Sequence, residues 1–349
     1  MIIFLIKQTV LNLLVIYKEP NNSQLGISSY IPDENNCLML KELLSKSVEK
    51  EASKVLLLSG GLDSSILASI SKPQCSVTVA LGNEAPDLQS ARVVAKKYGL
   101  GHLEVILTEQ ELIEIIEQVI RIFKTFDPME IRNTCVVFAG ISKAKKEGYR
   151  EVMTGDGSDE LFAGYNYLRR YFSHLSDLDA EVRRLWNIMD FSSKLIGKVL
   201  KMDIRLPFLQ EEFATFAKSI NIEMKVGAHS GQLWGKFLLR KCFEAELGED
   251  VVWKPKFPQE TGAGIQKIKD FLCTSISDST FDLGRKCALS DGVRIRDKEH
   301  LRYYQIFRKF FPIPGEHDCT HERCPECLGC LPRASRFCRT CGAFPIVSS

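Results

Sequence analysis

The chain has no run of the ~20 apolar residues needed to cross a bilayer as a helix. It also lacks a strong charge of either sign. Its 349 residues carry 46 Lys and Arg against 44 Asp and Glu, a net charge of +2, so any nucleic-acid site would have to be a local patch. Internal repeats and low-complexity tracts are missing too. The most apolar stretch, "MIIFLIKQTVLNLLVIY" at residues 1–17, has no basic leader and no small-residue cleavage site, and Lys7, Gln8, Thr9 and Asn12 interrupt it. It reads as a buried strand or helix. Without a secretion signal or span, a cytoplasmic protein with no membrane partner is expected.

Bulk composition is ordinary. A hydrophobic content of 45% with 26% charged residues suits a soluble globular protein, and the length suits one large domain with appendages, or two domains. Cysteine usage is more informative. Six of the 12 Cys are scattered (Cys37, Cys75, Cys135, Cys242, Cys273, Cys287) and six fall between Cys319 and Cys341. The scattered ones read as buried, reduced thiols and the cluster as metal ligands. A reducing compartment fits both.

Residues 18–36 are rich in Pro, Asn, Ser and Gly and read as loop; from Cys37 to Glu51 the spacing of Leu40, Leu43, Leu44 and Val48 is helical. Strands and helices then alternate. Strands are expected at Val55–Leu58, Ser76–Leu81, Leu103–Leu107 and Glu151–Met153, with helices from Asp63 and over Asp87–Tyr98, Glu109–Phe123 and Thr134–Lys146. This rhythm implies an α/β fold, a parallel sheet with helices on both faces. Past Leu161 the pattern is helical to about Leu247, with no clear strand. "FFPIPGEHD" (Phe310–Asp318) breaks the chain. The expected organisation is an N-terminal segment (1–36), a main domain (37–310) with a helical C-terminal extension, and a small metal-binding tail (317–349).

The stretch "KVLLLSGGLDSSI" (Lys54–Ile66) runs a strand into a glycine turn just where a helix begins. Backbone N–H groups at such a helix start attract phosphate. Gly60 and Gly61 would let an anion approach the backbone, and Ser59, Ser64 and Ser65 add hydroxyls. Asp63 would repel bare phosphates, which suggests a divalent cation between them, Mg²⁺ with oxygen ligands. The loop has no Gly-Lys-Ser/Thr, and the chain's Gly235-Lys236 has Ser230 where a Walker loop needs its first Gly. ATP binding of another kind is implied.

"SGGLDSS" resembles the pyrophosphate-loop signature of the ATP-pyrophosphatase superfamily, and "TGDGSDELFAGY" (Thr154–Tyr165) resembles the second signature of the asparagine synthetase family. "LGNEAPD", "EIRNT", "RLPFL" and "WKPKFPQETGAG" extend the match over roughly residues 37–265. The resemblance implies a PP-loop fold of the adenine nucleotide alpha hydrolase type and an AMP-forming ligase, in which a carboxylate attacks the α-phosphorus of ATP and ammonia or another amine displaces AMP. It implies Mg²⁺ on Asp63 and Asp159, and a pyrophosphate cradle of Ser59, Gly60, Gly61 and Ser64. Adenosine contacts fall to Leu57, Leu81 and Gly155, charge stabilisation to Lys256, and a place near the acceptor to Arg132. Asp156 stands where the family usually has Glu, and Gln210 where it has Asp, which leaves the acceptor open. The glutaminase domain with its cysteine after Met1 has no counterpart here, so glutamine hydrolysis is not expected. Ammonia would come free or from a separate glutaminase.

The tail reads "HDCTHERCPECLGCLPRASRFCRTCG". Cys324 and Cys327 form one C-x2-C and Cys338 and Cys341 another, which resembles a zinc ribbon or a rubredoxin-type knuckle pair. Four thiolates suit a tetrahedral Zn²⁺. Cys319, His321 and Cys330 leave a second metal open. Cys324, Cys327 and Cys330 also match C-x2-C-x2-C, an iron–sulfur spacing ranked below zinc because no fourth Cys-Pro follows. Arg333, Arg336 and Arg339 would suit RNA phosphates, or merely balance a thiolate-rich site. The competing function is therefore a PP-loop tRNA-modifying enzyme that adenylates a base, the ribbon binding RNA or a cluster.

Overall fold

A computed structural model describes residues 34–331 and 335–346; the expectations for the apolar stretch 1–17, for residues 18–33 and for Arg333 lie outside them. Five parallel strands form the central sheet: β1 (Val55–Leu57), β2 (Cys75–Leu81), β3 (Gly101–Leu107), β4 (Glu151–Met153) and β5 (Asp203–Arg205), in the order β3-β2-β1-β4-β5. Every residue of β2 is buried, as expected of a strand covered on both faces.

Neighbouring residues on one strand face different cores. Val55 and Val152 point into the core made with α4 (Glu109–Phe123) and α5 (Pro128–Lys146), while Leu56 and Met153 point into the core made with α1 (Glu34–Lys50), α2 (Leu62–Ser71) and α3 (Pro86–Tyr98). The expected fold class is observed. No helix among the described residues is long and apolar enough to cross a membrane.

Because β2 lies on one side of β1 and β4 on the other, the strand order reverses at β1. Ligand crevices in such sheets open at that point, beyond the carboxyl ends of the strands. The Ser-Gly-Gly loop follows β1, and Gly155 and Asp156 lead from β4 into α6 (Ser158–Leu161).

Two expectations need correcting. Helix α5 begins at Pro128 rather than Thr134, because Asp127 caps it by accepting from Met129 N (3.2 Å) and Pro128 suits the first turn. The region after Leu161 does contain strands: β5, and an antiparallel hairpin of β6 (Val226–His229) and β7 (Gln232–Gly235). Its two-residue turn, Ser230-Gly231, has φ of +49° and +79°, the backbone of a tight hairpin. The short strands "VGAH" and "QLWG" carry little alternation, which hid them.

The scattered cysteines are not all free thiols. Cys37 on α1 is bonded to Cys242 on α8 (Phe237–Leu247), with α7 (Ser192–Leu200) preceding it in the chain, and Cys319 is bonded to Cys330. Cys75 and Cys135 are buried free thiols. The residues after 317 share their core with the main domain: Cys324, Cys327, Leu331, Cys338, Cys341, Ala343 and Ile346 sit in the cluster that holds Phe126, Val293 and Tyr304.

Candidate active site and metal centre

A cavity of about 500 Å³ lies at the ends of β1 and β4, within the size range of small-molecule sites. Leu57, Ser59, Gly61, Asp63, Ser64, Gly155, Asp156, Asp159 and Lys256 line it, as the motifs suggested. No side chain caps α2, so its first-turn N–H groups remain available to an anion. The loop hydroxyls hold one another in place: Ser59 Oγ lies 3.2 Å from Ser64 Oγ and accepts from Gly61 N at 3.2 Å.

Two residues expected in the site contribute differently. Gly60, at φ +68°, is not on the cavity wall; a Cβ there would lie 2.3 Å from the Ser90 carbonyl carbon, so the absent side chain lets the loop pack on α3. Leu81 also stays off the wall and donates its N–H to Ala263 O (2.8 Å). The β2 side of the cavity is made by Val77, Thr78 and Val79. Leu81 shares the strand face of Val77 and Val79 but lies further along β2, where its backbone is taken up by Ala263.

The centre of the site is a charge cluster. Lys236 Nζ lies 2.5 Å from Asp63 Oδ2 and 2.7 Å from Asp159 Oδ1, Lys256 Nζ contacts Asp159 Oδ2, and Ser158 Oγ donates to Asp63 Oδ1 (2.7 Å). Burial alone would push Asp159 up, but Lys236 and Lys256 outweigh it and hold the carboxyl well below its usual range. Burial would likewise lower Lys236; Asp159 and Asp63 reverse this and raise it. Lys256 ends lowered, because burial and repulsion from Lys236 exceed the help from Asp159.

Lys236 carries no local sequence signal. Its Gly-Lys pair suggests only a Walker pattern that the chain does not complete, and its carboxylate partner Asp63 lies 173 residues away in sequence. It sits at φ +55°, an unfavourable conformation for a side chain with a Cβ, where hairpin β6–β7 turns into α8. Glu160, deeply buried beside Asp159 and receiving the Tyr165 hydroxyl, is pushed up to about 7, first by burial and then by the Asp159 charge. Asp87, also on the wall, is raised to about 7 by burial against the pull of Lys254.

On the far side, Asp156 accepts from Ser193 Oγ (2.6 Å) at the start of α7, and Asp190, Phe191 and Ser192 continue the wall. Arg132, expected near the acceptor, does not line the cavity. Its Nε donates to Glu260 Oε2 (2.5 Å) on α9 (Gln259–Gly262), and its Nη1 lies 2.7 Å from both oxygens of Glu299 on α10 (Lys298–Arg308). The guanidinium is consumed by two buried carboxylates, and Glu260, rather than Arg132, faces the cavity.

In the tail, Cys324, Cys327, Cys338 and Cys341 are fully buried with their sulfurs within 4.8 Å of one another. Cys324 and Cys341 are 3.7 Å apart and Cys327 and Cys338 3.6 Å, close to the ~3.8 Å edge of a tetrahedron with metal–sulfur bonds of ~2.3 Å. Four sulfurs that close could hold one metal ion. Glu326 N donates to Cys324 Sγ (3.4 Å), which helps to stabilise a thiolate. The second metal is not supported, since Cys319 and Cys330 are bonded to each other and no other such group occurs among the described residues.

Comparison with known proteins agrees with the site. The sequence profile of the asparagine synthase family matches residues 39–201 and 196–323. The chain belongs to the asparagine synthase family. Asparagine synthetase B of Escherichia coli, named as glutamine-hydrolyzing, is 30% identical over 322 residues, covering 84% of this chain and 57% of that protein. Asparagine synthetase 3 of Arabidopsis thaliana is 31% identical over 280 residues, 74% of this chain and 48% of its own length. The chain thus spans about half the length of these curated relatives. A solved NAD synthetase from Campylobacter jejuni is 14% identical with a TM-score of 0.28, covering 66% of this chain and all of its own, too weak a likeness to bear on the fold.

Proposed function

We propose that this chain is an ATP-dependent, AMP-forming ligase that activates a carboxylate and passes the acyl group to ammonia or another amine. The observation that supports it best is the cluster of Asp63, Lys236, Asp159 and Lys256 beside an uncapped helix start, at the point where strand order reverses. A carboxylate oxygen of the acceptor attacks the α-phosphorus, and the bond to the pyrophosphate oxygen breaks. The amine nitrogen then attacks the acyl carbon, loses a proton, and AMP leaves with the bonding pair.

The residues fit these roles. Loop N–H groups and the hydroxyls of Ser59 and Ser64 bind the β- and γ-phosphates, while Leu57, Val77 and Val79 flank the adenine. Lys236 and Lys256 offset charge building on the leaving pyrophosphate. Asp63 and Asp159 already hold one cation between them at 2.5 and 2.7 Å, so the same oxygens fit Mg²⁺, which supplies charge neutralisation at the phosphates when bound. Asp156, fixed by Ser193, lies on the acceptor side. The tail, which shares the core of the main domain, holds a single structural Zn²⁺ on its four thiolates. The RNA-modifying alternative is not favoured, since the relatives named above are asparagine synthetases.

The test is exchange of labelled pyrophosphate into ATP, screened over small carboxylates. Exchange should depend on one of them, AMP rather than ADP should accumulate, and Asp63→Asn and Asp159→Asn should each lose the exchange. ADP as the product would overturn the proposal.

A further inference from the structure

The metal-binding knuckle Cys338–Cys341 contacts two different walls of the cavity, although none of its residues lines it. On one side, Thr125 Oγ1 donates to Arg339 O (2.7 Å) and Phe126 N to Thr340 O (2.8 Å). These two residues lead directly into Asp127, the cap of α5, and α5 carries Asn133 and Thr134 on the cavity wall. On the other side, Arg339 Nη2 lies 3.6 Å from Asp190 Oδ2, an exposed pair at the head of the wall segment Asp190–Ser192, which runs into Ser193, the donor to Asp156. Arg296 Nη2 closes the arrangement by donating to Cys341 O (2.7 Å).

Asn133 makes the wall's dependence on α5 specific. Its Nδ2 donates to Met129 O (2.8 Å), its buried Oδ1 has no hydrogen-bond partner, and the residue is part of the cavity lining. A small displacement of the first turn of α5 would move that acceptor. The contacts from the knuckle are mostly backbone carbonyls, so their position is set by the fold of the knuckle, and an ion held by its two cysteines together with Cys324 and Cys327 would fix that fold. The matched family profile stops at residue 323, immediately before the first of the four cysteines.

We propose that the metal-bound knuckle is a positioning element of the acceptor half of the site: the ion holds the first turn of α5 and the Asp190–Ser192 wall in register, and takes no part in the chemistry. The proposal rests on the reading of the cavity as an ATP and acceptor site. Its test is kept separate from that reading by measuring order rather than turnover.

The full-length protein is compared by hydrogen exchange with its ion in place, after removal by a zinc-selective chelator, and after Zn²⁺ is returned. Removal should speed exchange at least tenfold in peptides covering 125–135 and 187–194, leave β1 and β2 protected, and change the affinity for Mg²⁺-ATP less than twofold; returned Zn²⁺ should reverse it. Thr125→Val, which spares all four cysteines, should keep one ion per chain yet loosen 125–131. Unchanged exchange at 125–135 on metal loss overturns the proposal. So does loss of protection throughout β1 and β2, which would make the ion a staple of the whole fold. If the untreated protein fails to bind Mg²⁺-ATP, the ATP reading falls while the exchange result still stands.

Discussion

Replacing Lys236 with Met removes the ammonium that links Asp63 to Asp159 while keeping a side chain of similar length. With an effective dielectric of ~20, a contact of ~2.6 Å is worth about 6 kcal/mol before solvation. Taking the ammonium out of water costs several kcal/mol of that, so a net loss of about 3–5 kcal/mol is expected, the size typical of breaking a buried pair. Asp159 is depressed in the fold, so its share is present above its unfolded pKa and fades as pH falls through the folded value. Lys236 is raised, so its share is present below its unfolded pKa and fades as pH rises through the folded one. The loss should therefore be complete between about pH 5 and 10. Urea unfolding at pH 7 reads it as a fall in midpoint at constant slope. Millimolar Mg²⁺ without nucleotide should restore much of the loss, because two facing carboxylates then bind the divalent ion in place of the ammonium. A loss under ~1 kcal/mol, the scale of an exposed pair, or a Mg²⁺ response no larger than in the unmodified protein, would refute the reasoning.

Gly60→Ala should destabilise the protein by about 2–5 kcal/mol, combining ~1–2 for a left-handed residue with ~1–3 for the clash on Ser90; a denaturation midpoint matching the unmodified protein would show that α3 simply moves aside. Asp87 is raised to about 7, so the folded state keeps a proton that the unfolded chain has lost, and stability should decline as pH rises from ~4 to ~7. Asp87→Asn should flatten that decline, and an unaltered slope would assign it to other groups.

The part of the site legible in the sequence is the part built from neighbours in the chain. The glycine loop, Asp63, Gly155, Asp156 and Asp159 all belong to strand-to-helix turns whose chemistry is local, and the parallel sheet followed from alternating patterns. The four cysteines were legible for the same reason, being paired at short spacing. What stayed hidden depends on distant partners. Lys236 has meaning only opposite Asp63 and Asp159, and Arg132 is neutralised by Glu260 and Glu299, 128 and 167 residues downstream. Cys37 finds Cys242 across 205 residues. Two misses did carry a local signal: Ser230-Gly231 is a turn dipeptide, and Asp127-Pro128 is a helix start.

The ring of Phe126 sits among His300, Tyr304 and Phe307, with centroids 5.1–5.2 Å away, and its backbone is closed over by Thr340. The segment that closes it is made more than 200 residues later, since Thr125 and Thr340 are 215 positions apart. During synthesis the start of α5 must therefore wait, first for the aromatic helix and then for the knuckle at the end of the chain. An assembly order of this kind leaves an apolar surface open for most of the time the chain is being made.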